Sequence, residues 1–126
     1  MTKIRVFFVA TATIAIPLLR TLMADDRFEV DLVVTAPDRP AGRKMALKAS
    51  PVKAAAEELT LPVFQPKDIN STESVERLRA LAADLMVVFA YGQILSAEVL
   101  ALPPHGCVNV HASLLPKYRG ASPIQS

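Results

Sequence analysis

Two side chains near the end of this 126-residue sequence have the types and spacing to do chemistry. They are Asn109 and His111, in the run Cys107-Val108-Asn109-Val110-His111-Ala112-Ser113-Leu114-Leu115-Pro116. The run opens as a short apolar strand over residues 107–110 and at once turns polar. Side chains alternate faces along a strand, so Asn109 and His111 project to one side and Val110 to the other. An amide donor and an imidazole then sit together at the carboxyl end of a strand, where open α/β sheets bind ligands. The pair suits acyl transfer, because an Asn amide can hold a developing oxyanion while a neighbouring His moves a proton. Spacing alone favours a purely structural Asn-x-His over this reading.

The elements that must position this pair follow from hydrophobic periodicity. Residues 3–9 predict a first strand and 10–13 a turn. A helix follows to Ala24, with Pro17 in its first turn and Ile16, Leu19, Leu22 and Met23 on its apolar face. Residues 28–35 predict a second strand, whose apolar core is interrupted only by Asp31. Residues 36–50 hold two prolines and a glycine and predict a long loop. Ser50-Pro51 reads as an N-cap followed by proline at the first helical position, opening a helix to Leu59. A short strand over 61–64 carries Pro62 and belongs toward a sheet edge.

Asn70 with Glu73 resembles a capping box for a helix to Ala82. That helix would bury Val75, Leu78 and Leu81 and pair Glu73 with Arg77 at i,i+4. Residues 85–90 are continuously apolar and predict a central strand. Ser96 caps a last short helix to Leu102, which Pro103-Pro104 stop. Five strands alternating with helices predict an α/β fold, a Rossmann-like parallel sheet with helices on both faces and right-handed crossovers. The pattern leaves off where a helix should begin near Pro123, so residues 1–126 read as one partial domain, incomplete at the C-terminus.

Composition narrows the function classes. Hydrophobic residues make up 52% of the chain, which suits a sheet buried on both faces. Net charge is only +2, so any argument about partners must come from local clustering. Between Pro37 and Lys53 the balance is +4, from Arg39, Arg43, Lys44, Lys48 and Lys53 against Asp38, leaving −2 for the rest. A basic loop of that kind can meet a phosphate backbone, or simply be solvated. The single cysteine, Cys107, allows no internal disulfide, fits a reducing, cytoplasmic compartment, and reads as a small buried hydrophobe. The 14 uncharged residues from Val6 to Leu19 are too few to span a membrane and read as strand, turn and helix.

A dinucleotide site needs glycines in the first strand-to-helix turn, and Gly42, Gly92, Gly106 and Gly120 all lie elsewhere. Two histidines six residues apart and one cysteine are too few ligands for a protein-held metal, so none is expected.

The terminal run, with its continuation Lys117-Tyr118-Arg119-Gly120-Ala121-Ser122-Pro123-Ile124-Gln125, resembles the signature of the folate-dependent formyltransferases, and within them the methionyl-tRNA formyltransferase family. The resemblance extends to Pro37-Asp38-Arg39-Pro40-Ala41-Gly42-Arg43, Ser50-Pro51-Val52-Lys53, Leu61-Pro62-Val63-Phe64-Gln65-Pro66 and Ala90-Tyr91-Gly92, in order along the chain. It implies transfer of a formyl group from 10-formyltetrahydrofolate to the α-amino group of methionine on initiator tRNA. By matching position, Asn109 would stabilise the oxyanion and His111 assist proton movement. Ser113, Leu114, Leu115 and Pro116, with Ala90, Tyr91 and Gly92, would contact folate. Arg39, Arg43, Lys44 and Lys48 would reach the tRNA acceptor stem, Arg43 foremost.

Two departures stand out. Where the family carries Gly-Thr-Pro-acidic-Phe after the first strand, this chain has Ala10-Thr11-Ala12-Thr13-Ile14, keeping only the Thr. The family's catalytic Asp falls some tens of residues beyond the position of Ser126, as does the C-terminal domain that helps hold tRNA. A related enzyme formylating an amino-sugar nucleotide, and a non-catalytic folate- or RNA-binding fragment, remain the alternatives.

Overall fold

The computed structural model describes residues 2–42 and 46–111. Its sheet has five parallel strands: β1 (Ile4–Ala10), β2 (Phe28–Val34), β5 (Val63–Phe64), β6 (Leu85–Phe89) and β7 (Cys107–Val110). Their spatial order is β5-β2-β1-β6-β7. The chain starts in the middle, works outward to β5, then returns to build the other half. The order therefore reverses between β1 and β6, and the carboxyl ends of those two strands form the topological switch point.

Helices α1 (Ile16–Ala24), α2 (Pro51–Glu58), α3 (Thr72–Leu81) and α4 (Ala97–Leu100) make the crossovers. Alternation along β1 sends Val6, Phe8 and Ala10 into one core with Leu19 and Leu22 of α1 and Val52 and Ala56 of α2. Phe7 and Val9 enter the other, with Val75 and Leu78 of α3 and Val99 of α4. Both faces are thus covered, as a run without polar alternation requires. β6 is interior, between β1 and β7, and β5 is a two-residue edge strand next to Pro62, both as the sequence predicts.

The lone acid in β2 has a structural cause. The β1–β2 register shifts between Val6 and Phe7, so that Val6 faces Val30 and Phe7 faces Leu32, with Asp31 as the extra residue. Such a bulge re-aims one side chain. Here the Asp31 carboxylate accepts from Arg5 of the neighbouring strand, and this contact raises the Arg5 pKa.

Caps largely follow the sequence. Ser50 accepts from Lys53 N at 3.0 Å and Ser96 from Val99 N at 3.2 Å, each satisfying an orphan amide of the first turn. Pro17 sits in the first turn of α1, after a short 3₁₀ turn, Thr13–Ala15.

Several expectations are corrected. Residues 36–50 are not all loop: β3 (Arg39–Ala41) and β4 (Ala46–Lys48) form a small antiparallel hairpin. The α3 cap is Ser71, accepting from Ser74 N at 3.1 Å, because Asn70 is bonded elsewhere. Arg77 does not pair with Glu73 but lies over the Phe64 ring, 4.6 Å from its centre. Met23 and Leu81, in the last turns of their helices, are more than a third exposed rather than core. α4 ends at Leu100, and Val108 on the outer strand β7 is half exposed.

Phe8 is fully buried on the middle strand. Phe8→Ala is expected to cost about 3–5 kcal/mol, a large share of the roughly 5–15 kcal/mol a domain has. The urea midpoint of this chain checks it; a midpoint at the unsubstituted value contradicts this packing.

Candidate functional site

The switch point is built by backbone groups that leave their strands. Beyond β6, Ala90 takes a left-handed conformation (φ 55°), which turns its carbonyl back toward β1. That oxygen accepts from Thr11 N at 3.0 Å and from Ala12 N at 3.3 Å. The Thr11 hydroxyl donates to the Tyr91 carbonyl at 2.7 Å and accepts from Ala36 N at 3.3 Å. The ends of β1, β2 and β6 are thereby tied to one side chain. Thr11 is the residue retained in the otherwise altered 10–14 turn, and its bonds are ones that only a hydroxyl among small side chains can make from both sides.

Two cavities open at this junction. The larger, about 640 Å³, lies over Thr11, Ala12, Ala36 and Ser50, with Arg39 and Lys48 on its rim. The smaller, about 310 Å³, is lined by Gln93, Ile94, Leu95 and Asn109. Ala90, Tyr91 and Gly92 wall both. Gly92 has φ 109°, a conformation side chains with a Cβ rarely adopt, so the glycine is what lets the chain run between the cavities.

The loop after Gly92 is braced from beneath by two amides. Gln93 accepts from Ile69 N at 2.9 Å and donates to Lys67 O at 3.3 Å. Asn70 donates to Ile94 O at 2.8 Å and accepts from Ser96 N at 2.8 Å. This second task explains why Asn70 does not cap α3.

Of the predicted site residues, Asn109 reaches the smaller cavity, in register with Val88 of β6. His111 follows one residue beyond β7 and is exposed. Arg39 and Lys48 face each other as the first cross-strand pair of the hairpin. Ser113, Leu114, Leu115 and Pro116, and Arg43 and Lys44, lie outside the described residues. Cys107 is partly buried, and desolvation pushes its thiol pKa up, so it is no activated nucleophile. Among the described residues no group of three or more His, Cys, Asp or Glu could hold a metal ion, and no helix is long and apolar enough to cross a membrane.

Residues that spacing alone does not single out join the hairpin to this site. The Asp38 carboxylate accepts from Lys53 Nζ at 3.2 Å through each oxygen and from Gln65 Nε2 at 2.8 Å. Gln65 Nε2 also donates to Ala36 O at 3.1 Å, and the Thr35 and Ser50 hydroxyls are 2.7 Å apart. The Gln65 and Lys53 contacts hold the Asp38 carboxyl below the usual range. Three motifs separated along the sequence, 37–43, 50–53 and 61–66, thus meet at one carboxylate. The only sequence signal for this was their recurrence together.

The sequence profile of the N-terminal Formyl transferase family matches residues 2–126. The methionyl-tRNA formyltransferase of Xanthomonas axonopodis pv. citri is 57% identical over 121 residues, covering 96% of this chain and 39% of that protein. That of Geobacter sulfurreducens is 51% identical over 124 residues, covering 98% of this chain and 39% of its own length. The chain therefore spans about two fifths of the length of these relatives. Among solved structures, phosphoribosylglycinamide formyltransferase from Anaplasma phagocytophilum aligns with a TM-score of 0.64 at 19% identity, over 94% of this chain and 54% of that one. The Brucella melitensis protein of the same name aligns at 0.62 and 24% identity, over 94% and 62%. At these identities the likeness concerns the fold alone.

Tyr91 supplies the test of this junction. Its hydroxyl is buried with no hydrogen-bond partner among the described residues, and burial, then the nearby Asp68 charge, push its pKa from 10.0 up to about 12. The folded state thus favours the neutral phenol. That contribution is full below pH 10 and is lost as pH rises toward 12. Tyr91→Phe is expected to leave stability at neutral pH unchanged or higher, since it removes an unpaired buried group, and to flatten the alkaline decline. Urea midpoints across pH check this; a clear loss at neutral pH contradicts it.

Proposed function

The chain belongs to the formyl transferase family, and from that premise we propose that residues 1–126 form part of the catalytic domain of a methionyl-tRNA formyltransferase. The donor is 10-formyltetrahydrofolate and the acceptor is the α-amino group of methionine on initiator tRNA. The reading is carried by one observation: Asn109, at the carboxyl end of β7, shares a cavity with Ala90, Tyr91 and Gly92 at the switch point. Polar hydrogen-bonding groups at the edge of an apolar recess fit a heterocycle bearing a reactive formyl.

In the proposed reaction the neutral amine attacks the formyl carbon, forming a C–N bond and placing negative charge on the formyl oxygen. Asn109 donates its side-chain amide to that oxygen. His111 accepts the proton the amine sheds. Collapse breaks the bond from the formyl carbon to the folate nitrogen, which leaves with a proton. An oriented donor at a developing oxyanion contributes on the order of 100- to 1000-fold in rate. Ser113, Leu114, Leu115 and Pro116 complete the folate contacts, and Arg39, Arg43, Lys44 and Lys48 on and around the β3–β4 hairpin meet the tRNA phosphates.

Two outcomes test this reading. First, formyl transfer to initiator Met-tRNA is measured for this chain and for the chain joined at Ser126 to the remainder of the Xanthomonas axonopodis relative. Transfer by the joined protein, reduced about 100-fold or more by Asn109→Ala or His111→Ala, is expected. A joined protein that folds, binds tetrahydrofolate and transfers nothing, or that formylates an amino-sugar nucleotide instead, overturns it. Second, Arg43→Glu in the joined protein is expected to raise KM for tRNA and to make it less steeply dependent on salt concentration, leaving the KM for the donor unchanged. An unaltered KM for tRNA contradicts the role given to the hairpin.

A further inference from the structure

We infer that the Asp38–Lys53–Gln65 cluster is a positioning device that closes the root of the β3–β4 hairpin and so aims the Arg39–Lys48 pair. It rests on the proposal that this hairpin meets tRNA phosphates.

The hairpin cannot hold itself in place. Its ladder has three residue pairs, Arg39 with Lys48, Pro40 with Leu47 and Ala41 with Ala46. A two-stranded ribbon of that length is marginal in water. Leu47, its largest apolar side chain, is 69% exposed, and Ala46 and Lys48 are exposed as well, so no buried side chain of β4 anchors it to either core. Its first pair sets two cations directly opposite each other, which costs further stability.

What the root has instead is polar and partly buried. Thr35 meets Ser50, and Asp38, three residues along the outgoing arm, meets Lys53 in the first turn of α2; their side chains are 33% and 19% exposed. Gln65, arriving from beyond β5, bonds both the Asp38 carboxylate and the Ala36 carbonyl, fixing the outgoing arm to the sheet. Asp38 is the only acid between residues 37 and 53, and both its oxygens are engaged by Lys53. Arg39, the next residue along, is thereby carried to the rim of the larger cavity together with Lys48.

The decisive variant is Asp38→Asn, because charge and positioning predict opposite signs. Removing a negative charge beside two cations should tighten binding of a polyanion if charge alone matters. A positioning role predicts weaker binding. The experiment titrates the chain with uncharged initiator tRNA and with tetrahydrofolate, and follows hydrogen exchange at the amides of 39, 41 and 46–48. For Asp38→Asn, tRNA affinity is expected to fall about five- to ten-fold, the scale of one lost coupled contact. Hairpin exchange should quicken and tetrahydrofolate affinity stay as it was. Lys53→Met should do the same, the double variant should be no worse than either single, and Lys53→Arg should restore both tRNA affinity and protection.

Tighter or unchanged tRNA binding by Asp38→Asn, with unchanged exchange, overturns the inference. So does an equal loss of tRNA and tetrahydrofolate affinity, which marks general unfolding. If Arg39→Glu leaves tRNA binding untouched, the reading of the hairpin fails, while the exchange data still decide whether Asp38 closes its root.

Discussion

Three strands of a parallel sheet end at one edge, and the Thr11 hydroxyl and the Ala90 carbonyl tie those ends together. The ladder sets Val9 beside Val34 and Ala10 beside Phe89, so the ends of β1, β2 and β6 are neighbours, but strand pairing stops there and does not hold the segments that follow. The junction ties those segments together. It requires Ala90 to hold a left-handed backbone, at a cost of about 1–2 kcal/mol for a residue with a Cβ, and the two amides that converge on its carbonyl offset that cost. Both cavities take their shared wall from this turn, so their shapes depend on it.

Beyond the junction the structure changes character. The sheet is held by two apolar layers, and a core of that kind leaves little room for adjustment. The rim is held by polar contacts between loops: Gln93 and Asn70 under the 91–96 segment, and Asp38, Lys53 and Gln65 at the hairpin root. Such segments open at lower free energy than core strands. A rigid floor with separately fastened rims suits the proposed site, which would admit a small donor on one side and a large polyanion on the other.

How much of this could be read from residues alone follows from the range of the interactions. Strands β1, β2 and β6 are runs of buried apolar residues, and Ser50 and Ser96 cap helices with bonds three residues away, so local pattern sufficed. The hairpin was hidden because its strands are three residues long, include Pro40 and carry no apolar alternation toward a core. Asn70 and Ser71 are both good caps; which one serves is decided by Ile94 and Ser96, more than twenty residues away. Asp31 was visible as an interruption, yet its bulge and its contact with Arg5 depend on strand pairing. Asn109 was legible through alternation and resemblance together, whereas Thr11, Gln65 and Lys53 act across distances that spacing does not encode.

The most direct measurement of where the donor sits is the perturbation of backbone amide resonances on titrating the ¹⁵N-labelled chain with a reduced folate. If the switch point is the donor site, the shifts concentrate on residues 90–95 and Asn109, while amides at the opposite edge of the sheet, around Arg5 and Asp84, stay fixed. Shifts confined to that opposite edge, or saturable binding without any change at residues 90–95, would contradict it.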